Sequence, residues 1–222
     1  MDQIQKNIQH IQSNIQSITK SNKINYPIHL MIATKYATLE QIDSVIKSGI
    51  TLFGENKIQD AEQKIHSLNN PNIEWHFIGH LQRNKAKKAS QLFSSIDSVD
   101  SIRLLEKLNE ISNSSHPTAI FIQVNIANED QKFGFSISEV LNQEEKIFSF
   151  PNLKIKGIMT MMPYIDRSED LRPLFRQGKQ LFDDLQTRHP TLSYLSMGMS
   201  NDYNIAIEEG ANLIRLGRAI FK

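Results

Sequence analysis

The feature that most constrains this chain is a repeated alternation of two kinds of segment. Short apolar or β-branched runs are separated by polar stretches with helical periodicity, from residue 28 to the end. The runs are IHLMIATK from Ile28, TLFGEN from Thr51, EWHFIGH from Glu74 and SSIDSVD from Ser94. They continue with AIFIQVNIA from Ala119, KIKGIMTMMP from Lys154, YLSMGMS from Tyr194 and LIRLGRAIF from Leu213. Such β–α alternation predicts a parallel sheet with helices outside it, an α/β class. Eight runs suit closure into a (β/α)8 TIM barrel, with an open doubly wound sheet as the rival topology.

Ahead of the repeat, Ile4, Ile8, Ile11, Ile15 and Ile18 recur at helical spacing among Gln, Asn and Ser. This predicts an extra N-terminal helix over about residues 2–20 that packs on the barrel, a partner-binding helix being the alternative. Thr38 and Asp100 are expected N-caps, and Gly49 suits a helix stop. No Gly/Ser-rich or Pro-rich linker interrupts the sequence, so residues 1–222 read as one domain. A chain of 222 residues buries a sizeable core unaided.

Composition removes several function classes. With no cysteine there is no disulfide, thiol nucleophile or thiolate metal site. The 25 basic and 24 acidic residues leave a net charge of +1, which argues against nucleic acid or an acidic membrane surface as partner. The N-terminus lacks an apolar core of signal-peptide length, and no later run is long enough to span a bilayer. The expected location is the cytoplasm.

In a parallel barrel the chemistry gathers where strands end and βα loops begin. The first run ends in Ala33-Thr34-Lys35, which places a lysine at the mouth. A partly desolvated amine there can attack a carbonyl and form a Schiff base; a solvated strand-end lysine is the plain alternative. The seventh run ends SMGMSND and the eighth RLGRAIF. These two loops commonly bind phosphate in barrels, and Gly198, Ser200, Gly217 and Arg218 suit that use. Together with the lysine they suggest a phosphorylated carbonyl compound. Arg215, inside an apolar strand, needs an acceptor, and a pyridine nitrogen is one candidate.

Other mouth candidates carry less. FGEN sets Glu55 and Asn56 at the end of the second strand. His76 and His80 are expected on one face of the third, as hydrogen-bonded histidines rather than metal ligands, since no third ligand is evident. Met159, Met161 and Met162 read as core or pocket wall, and YIDRSED after the sixth strand as an ordinary loop or a flap. Lys132, in NEDQKFGF, is a basic group on the fifth loop.

IATK, FGENKIQDAEQK, WHFIGHLQRNK, IDSVDS, IQVNIANEDQKFGF, KGIMTMMP and LSMGMSNDYNIAIEEGANLIRLGRAIF resemble, in order, the signature blocks of the YggS/PROSC family of pyridoxal phosphate homeostasis proteins. The match runs from about Met31 to Phe221. The resemblance implies a barrel similar to the N-terminal domain of alanine racemase, with pyridoxal 5′-phosphate (PLP) as cofactor. By motif, Lys35 would be the Schiff-base lysine, Ser200 and the backbone of Gly217 and Arg218 would hold the phosphate, and Met199 would also bind the cofactor. Arg215 would face the ring nitrogen, Asn56 and His80 would line the pocket, and Lys132 would be accessory. Two departures stand out: Thr34 replaces the usual serine, and Arg218 replaces a small hydroxyl residue.

The leading functional expectation is therefore a monomeric PLP-binding protein of cofactor homeostasis, with no catalytic turnover and with PLP-dependent apo-enzymes as candidate recipients. A racemase or related PLP enzyme is the alternative. Racemisation needs a base on each substrate face, and in alanine racemase the second comes from a C-terminal domain for which the barrel is expected to leave no residues. A third reading is a cofactor-free enzyme that acts on a sugar phosphate through an imine at Lys35.

Overall fold

The computed structural model describes residues 2–129 and 131–222. Helix α1 (Gln3–Ser21) opens on Asp2, whose side chain accepts from the Gln5 N–H while the Gln5 side chain accepts from the Asp2 N–H. Its isoleucine face packs as predicted: Ile8 and Ile11 are buried, and Ile4, Ile15 and Ile18 rest against the same core.

Every apolar run becomes a strand. In chain order these are β1 (His29–Ala33), β2 (Leu52–Glu55), β3 (Glu74–Phe77) and β4 (Ser95–Val99). Then follow β5 (Thr118–Val124), β6 (Leu153–Thr160), β7 (Tyr194–Ser196) and β8 (Leu213–Leu216). Outside them lie α2 (Leu39–Lys47), α3 (Ile58–Leu68), α4 (Ala86–Leu92), α5 (Ile102–Ile111), α6 (Ile137–Asn142) and α7 (Glu144–Phe148). Three more complete the ring: α8 (Arg172–Arg188), α9 (Tyr203–Glu208) and α10 (Arg218–Phe221).

The strands pair in sequence order, all parallel, and β8 closes on β1 with Met31 opposite Arg215 and Ile32 opposite Leu216. The barrel prevails over an open sheet because both edges of such a sheet would leave ladder groups of β1 and β8 unpaired. Side chains alternate along each strand. One set forms the large layer between strands and helices, with Ile32, Phe53, Trp75, Ile96, Ile120 and Ile158 among its members. The other set points inward, where Met31, Phe121, Met159 and Leu213 form a separate buried cluster.

Local punctuation follows the sequence in two places and departs from it in one. Thr38 caps α2 through a capping box with Gln41, and Gly49, at φ +83°, follows the α2 C-cap Ser48. Asp100, expected to cap α5, does not: Ser101 holds the N-cap position, and the Asp100 carboxylate bonds His80 Nδ1 at 3.0 Å instead. The Asp100 carboxylate bonds the ring that the loop after β3 supplies instead of the end of α5.

Candidate functional site

At the C-terminal ends of the strands the loops enclose two adjoining cavities, of about 200 and 350 Å³, which share Ala33, Met199 and Arg215 as walls. Lys35, Asn56 and His80 line the larger. Ser200, Gly217 and Arg218 line the smaller, beneath Pro163, Tyr164 and Ile165 of the loop after β6. The barrel thus brings together Lys35, Asn56, His80, Met199, Ser200, Arg215, Gly217 and Arg218, whereas Lys132 stays apart. That side chain forms an ion pair with Glu129 within the loop after β5 and is not a wall of either cavity. The YIDRSED segment covers the smaller cavity, with Tyr164 78 % exposed on its outer side. Met161 is exposed and lines the larger cavity, Met162 is buried and lines the smaller, and Met159 is core.

The loops after β7 and β8 form an array of donors. Gly198 has φ +95°, and a Cβ there would lie 2.6 Å from that of Ala206, so only glycine turns the chain at this point. The Met199 N–H donates to Asp202 Oδ1 at 2.5 Å, and Ser200 Oγ accepts from the Ala219 N–H at 3.2 Å, which joins the two loops. Burial pushes the Asp202 carboxyl up, and the bond from Met199 opposes it. Among the described residues, the N–H groups of Ser200, Asn201 and Arg218 have no acceptor. Donors held this way suit an anion's oxygens. The exposed Arg218 guanidinium donates to Asn201 Oδ1 at 3.5 Å.

Across the mouth, Lys35 lies beyond the end of β1 and is exposed, not partly desolvated as its strand-end position suggested. Its Nζ sits 4.8 Å from the centre of the Tyr36 ring and holds the Tyr36 phenol below its usual range. The chain at its base is fixed more firmly. Thr34 and Glu55 are fully buried, Thr34 Oγ1 donates to Glu55 Oε1 at 2.8 Å, and the Asn56 N–H donates to Glu55 Oε2 at 3.1 Å. Lys64, from α3, donates to the Thr34 carbonyl at 2.6 Å and forms an ion pair with Glu55. One buried carboxylate therefore positions the backbone that carries both Lys35 and Asn56.

Comparison with known proteins supplies a family for the chain. The family model described as alanine racemase, N-terminal domain, matches residues 2–222. A pyridoxal phosphate homeostasis protein of Vibrio alginolyticus is 34 % identical over 228 residues, covering 100 % of this chain and 97 % of the relative. One from Aquifex aeolicus (strain VF5) is 36 % identical over 194 residues, 86 % of this chain and 85 % of the relative. This chain belongs to the pyridoxal phosphate homeostasis protein family. The solved structure of PipY from Synechococcus elongatus PCC7942 with PLP bound superposes with a TM-score of 0.81 at 30 % identity, over 94 % of this chain and all of that one. An alanine racemase of Clostridium difficile 630 shares the fold alone, with a TM-score of 0.75 at 14 % identity, over 97 % of this chain and 55 % of that one.

In this family member the barrel interior carries charge, as Arg215 in its apolar strand led one to expect. Arg215 is buried, with Nη1 donating to Ser196 Oγ at 2.6 Å and Nη2 to the Thr160 carbonyl at 2.8 Å. Burial pulls its pKa down to about 10, opposed by the Asp97 and Asp202 carboxylates, so it stays charged at neutral pH. His76 and His80 do not share a site. β3 ends at Phe77, so strand alternation no longer governs His80. His80 stands at the mouth, while His76 lines a separate cavity with His29 and Tyr194. His76 is nonetheless hydrogen-bonded as expected, Nδ1 to Asp97 at 2.8 Å and Nε2 to Glu74 at 3.1 Å. Burial disfavours its charge, but Asp97 and Glu74 prevail and raise its pKa to about 9. Among the described residues no group of three or more His, Asp or Glu could hold a metal ion.

Proposed function

We propose that this protein holds PLP at the barrel mouth as a Schiff base on Lys35 and hands it to PLP-dependent apo-enzymes in the cytoplasm, without amino-acid turnover of its own. The observation that carries this reading is the opposition, across shared cavity walls, of one lysine and the donor-rich loops after β7 and β8. The residues present fit the cofactor. Among the described residues, Asn56 Oδ1 is buried without a partner at the cavity that Lys35 lines, and the N–H groups of Ser200, Asn201 and Arg218 have no acceptor and suit an anion.

When bound, the cofactor supplies an aldehyde carbon for the amine and a ring that withdraws electrons. The chain's residues divide the remaining work. Ser200, Gly217 and Arg218 hold the phosphate from the β7 and β8 side, and Met199 walls both cavities. Arg215 presents a permanent cation at the shared wall; it cannot give up its proton, so it leaves the ring nitrogen unprotonated and the ring a weaker electron sink. That suits a carrier better than a catalyst of carbanion chemistry. The family name, homeostasis protein, agrees with a role in supply.

Transfer is the direct test. Protein loaded with PLP is mixed with an apo-enzyme and recovery of that enzyme's activity is followed. Recovery faster than the rate at which PLP released to solution could supply it, with no turnover of common amino acids by the loaded protein, supports the reading. Multiple turnovers abolished by Lys35→Ala would overturn it in favour of a racemase-like enzyme.

A further inference from the structure

We propose that His80, set by Asp100 and Phe133, is the proton carrier for attachment and release of a carbonyl at Lys35. This rests on the cofactor reading above and adds a residue role to it. The loop that carries His80 is pinned on both sides. A Cβ on Gly79 would lie 2.2 Å from the Asn56 carbonyl oxygen, and Ser98 Oγ donates to the Gly79 carbonyl at 2.5 Å. Glycine is needed there so that the β3 loop can pass against the end of β2.

The ring is then oriented twice more. Phe133 stacks on it with centroids 3.7 Å apart and planes 13° from parallel. Asp100, with only 9 % of its side chain exposed, holds Nδ1 at 3.0 Å. Keeping a carboxylate so enclosed is costly unless it is used, and its use here is to give up a helix cap for a histidine. The carboxylate accepts from Nδ1–H, so the neutral ring carries its lone pair on Nε2. A histidine whose Nδ1 is fixed by a carboxylate, with Nε2 free, is the arrangement of a general base and acid. His80 and Lys35 are walls of the same 350 Å³ cavity. Among the described residues, the charged groups on the elements around the ring are Asp100 from the end of β4, Lys35 from β1, Arg215 from β8, and the Lys132–Glu129 pair on the loop that bears Phe133.

The proton balance closes without another co-reactant. His80 Nε2 takes a proton from the Lys35 ammonium, and the freed Nζ pair makes the C–N bond while the C=O pair moves to oxygen. His80 returns that proton to the oxygen. With a second proton from the nitrogen the oxygen leaves as water, and the nitrogen pair closes the C=N bond. Release is the reverse, with one water consumed.

The test measures attachment and release of PLP by stopped-flow absorbance for wild type, His80→Gln and Asp100→Asn. A proton carrier speeds both directions, so in His80→Gln the two rates fall together by at least about tenfold, and added imidazole restores them. Asp100→Asn, which loosens the tautomer, slows both by a smaller factor. Unchanged rates in both variants would overturn the role. So would weaker binding with faster release and no response to imidazole, the signature of a mere contact. If wild type forms no borohydride-reducible link, the cofactor reading fails and this inference falls with it; a wild-type link with unaltered variant rates removes only the role of His80.

Discussion

Lys64→Met tests the support beneath the site. Lys64 and Glu55 form the most enclosed lysine–carboxylate pair among the described residues, with side-chain exposures of 13 % and 0 %. Removal of the ammonium strands a carboxylate that has no other cationic partner among the described residues. Breaking a buried pair from one side costs about 3–5 kcal/mol. Two donors remain, Thr34 Oγ1 at 2.8 Å and the Asn56 N–H at 3.1 Å, which places the loss near the low end, at about 3 kcal/mol. For a chain of this size that lowers Tm by about 6–12 °C. The assay is thermal and denaturant unfolding followed by circular dichroism. Lys64→Met/Glu55→Gln, which removes both charges but keeps an acceptor oxygen toward Thr34 and Asn56, recovers most of the loss, because the penalty lies in the orphan charge and not in the pair. The double variant still loses the Lys64 bond to the Thr34 carbonyl, so Lys35 stays less well placed. A single variant within about 0.5 kcal/mol of wild type, or a double variant as unstable as the single, would refute the reasoning.

Three further outcomes follow from the same geometry. Ser200→Ala removes a hydroxyl from the smaller cavity and weakens PLP binding by about 1 kcal/mol, as spectrophotometric titration would show; unchanged affinity would place the phosphate elsewhere. Arg215→Gln keeps a hydrogen-bonding side chain toward Ser196 and Thr160 but removes the cation, and shifts the absorbance band of bound PLP; an identical band would take Arg215 away from the ring. His76 has a folded pKa raised from 6.5 to about 9, so its contribution is complete below pH 6.5 and is lost as pH rises toward 9. Chemical denaturation across that window should show stability falling in wild type and a flatter profile in His76→Gln.

What the sequence revealed, and what it hid, follows from the range of the interactions. The eight strands and α1 were legible because burial on a strand or helix face writes a period into the chain. Thr38 was legible because its box partner, Gln41, is three residues away. Asp100 was misread because a carboxylate before an apolar helical run has two uses, and the choice was made by His80, twenty residues earlier in sequence and adjacent in space. The exposure of Lys35 depends on where β1 stops, and strand ends are the least readable part of a pattern. The His76–His80 separation turned on the same uncertainty at β3. Lys64 was missed altogether. A glutamate ending an apolar strand, as in FGEN, was a hint that a cation must come from somewhere, but only the packing of α3 on β2 says which one.

The central claim is the covalent use of Lys35. Protein incubated with PLP, reduced with borohydride, digested and mapped by mass spectrometry should carry the pyridoxyl group on the peptide that contains Lys35, with none gained by Lys35→Ala. A label on Lys64, Lys132 or any other lysine in its place, or no label on the wild type, would contradict the account.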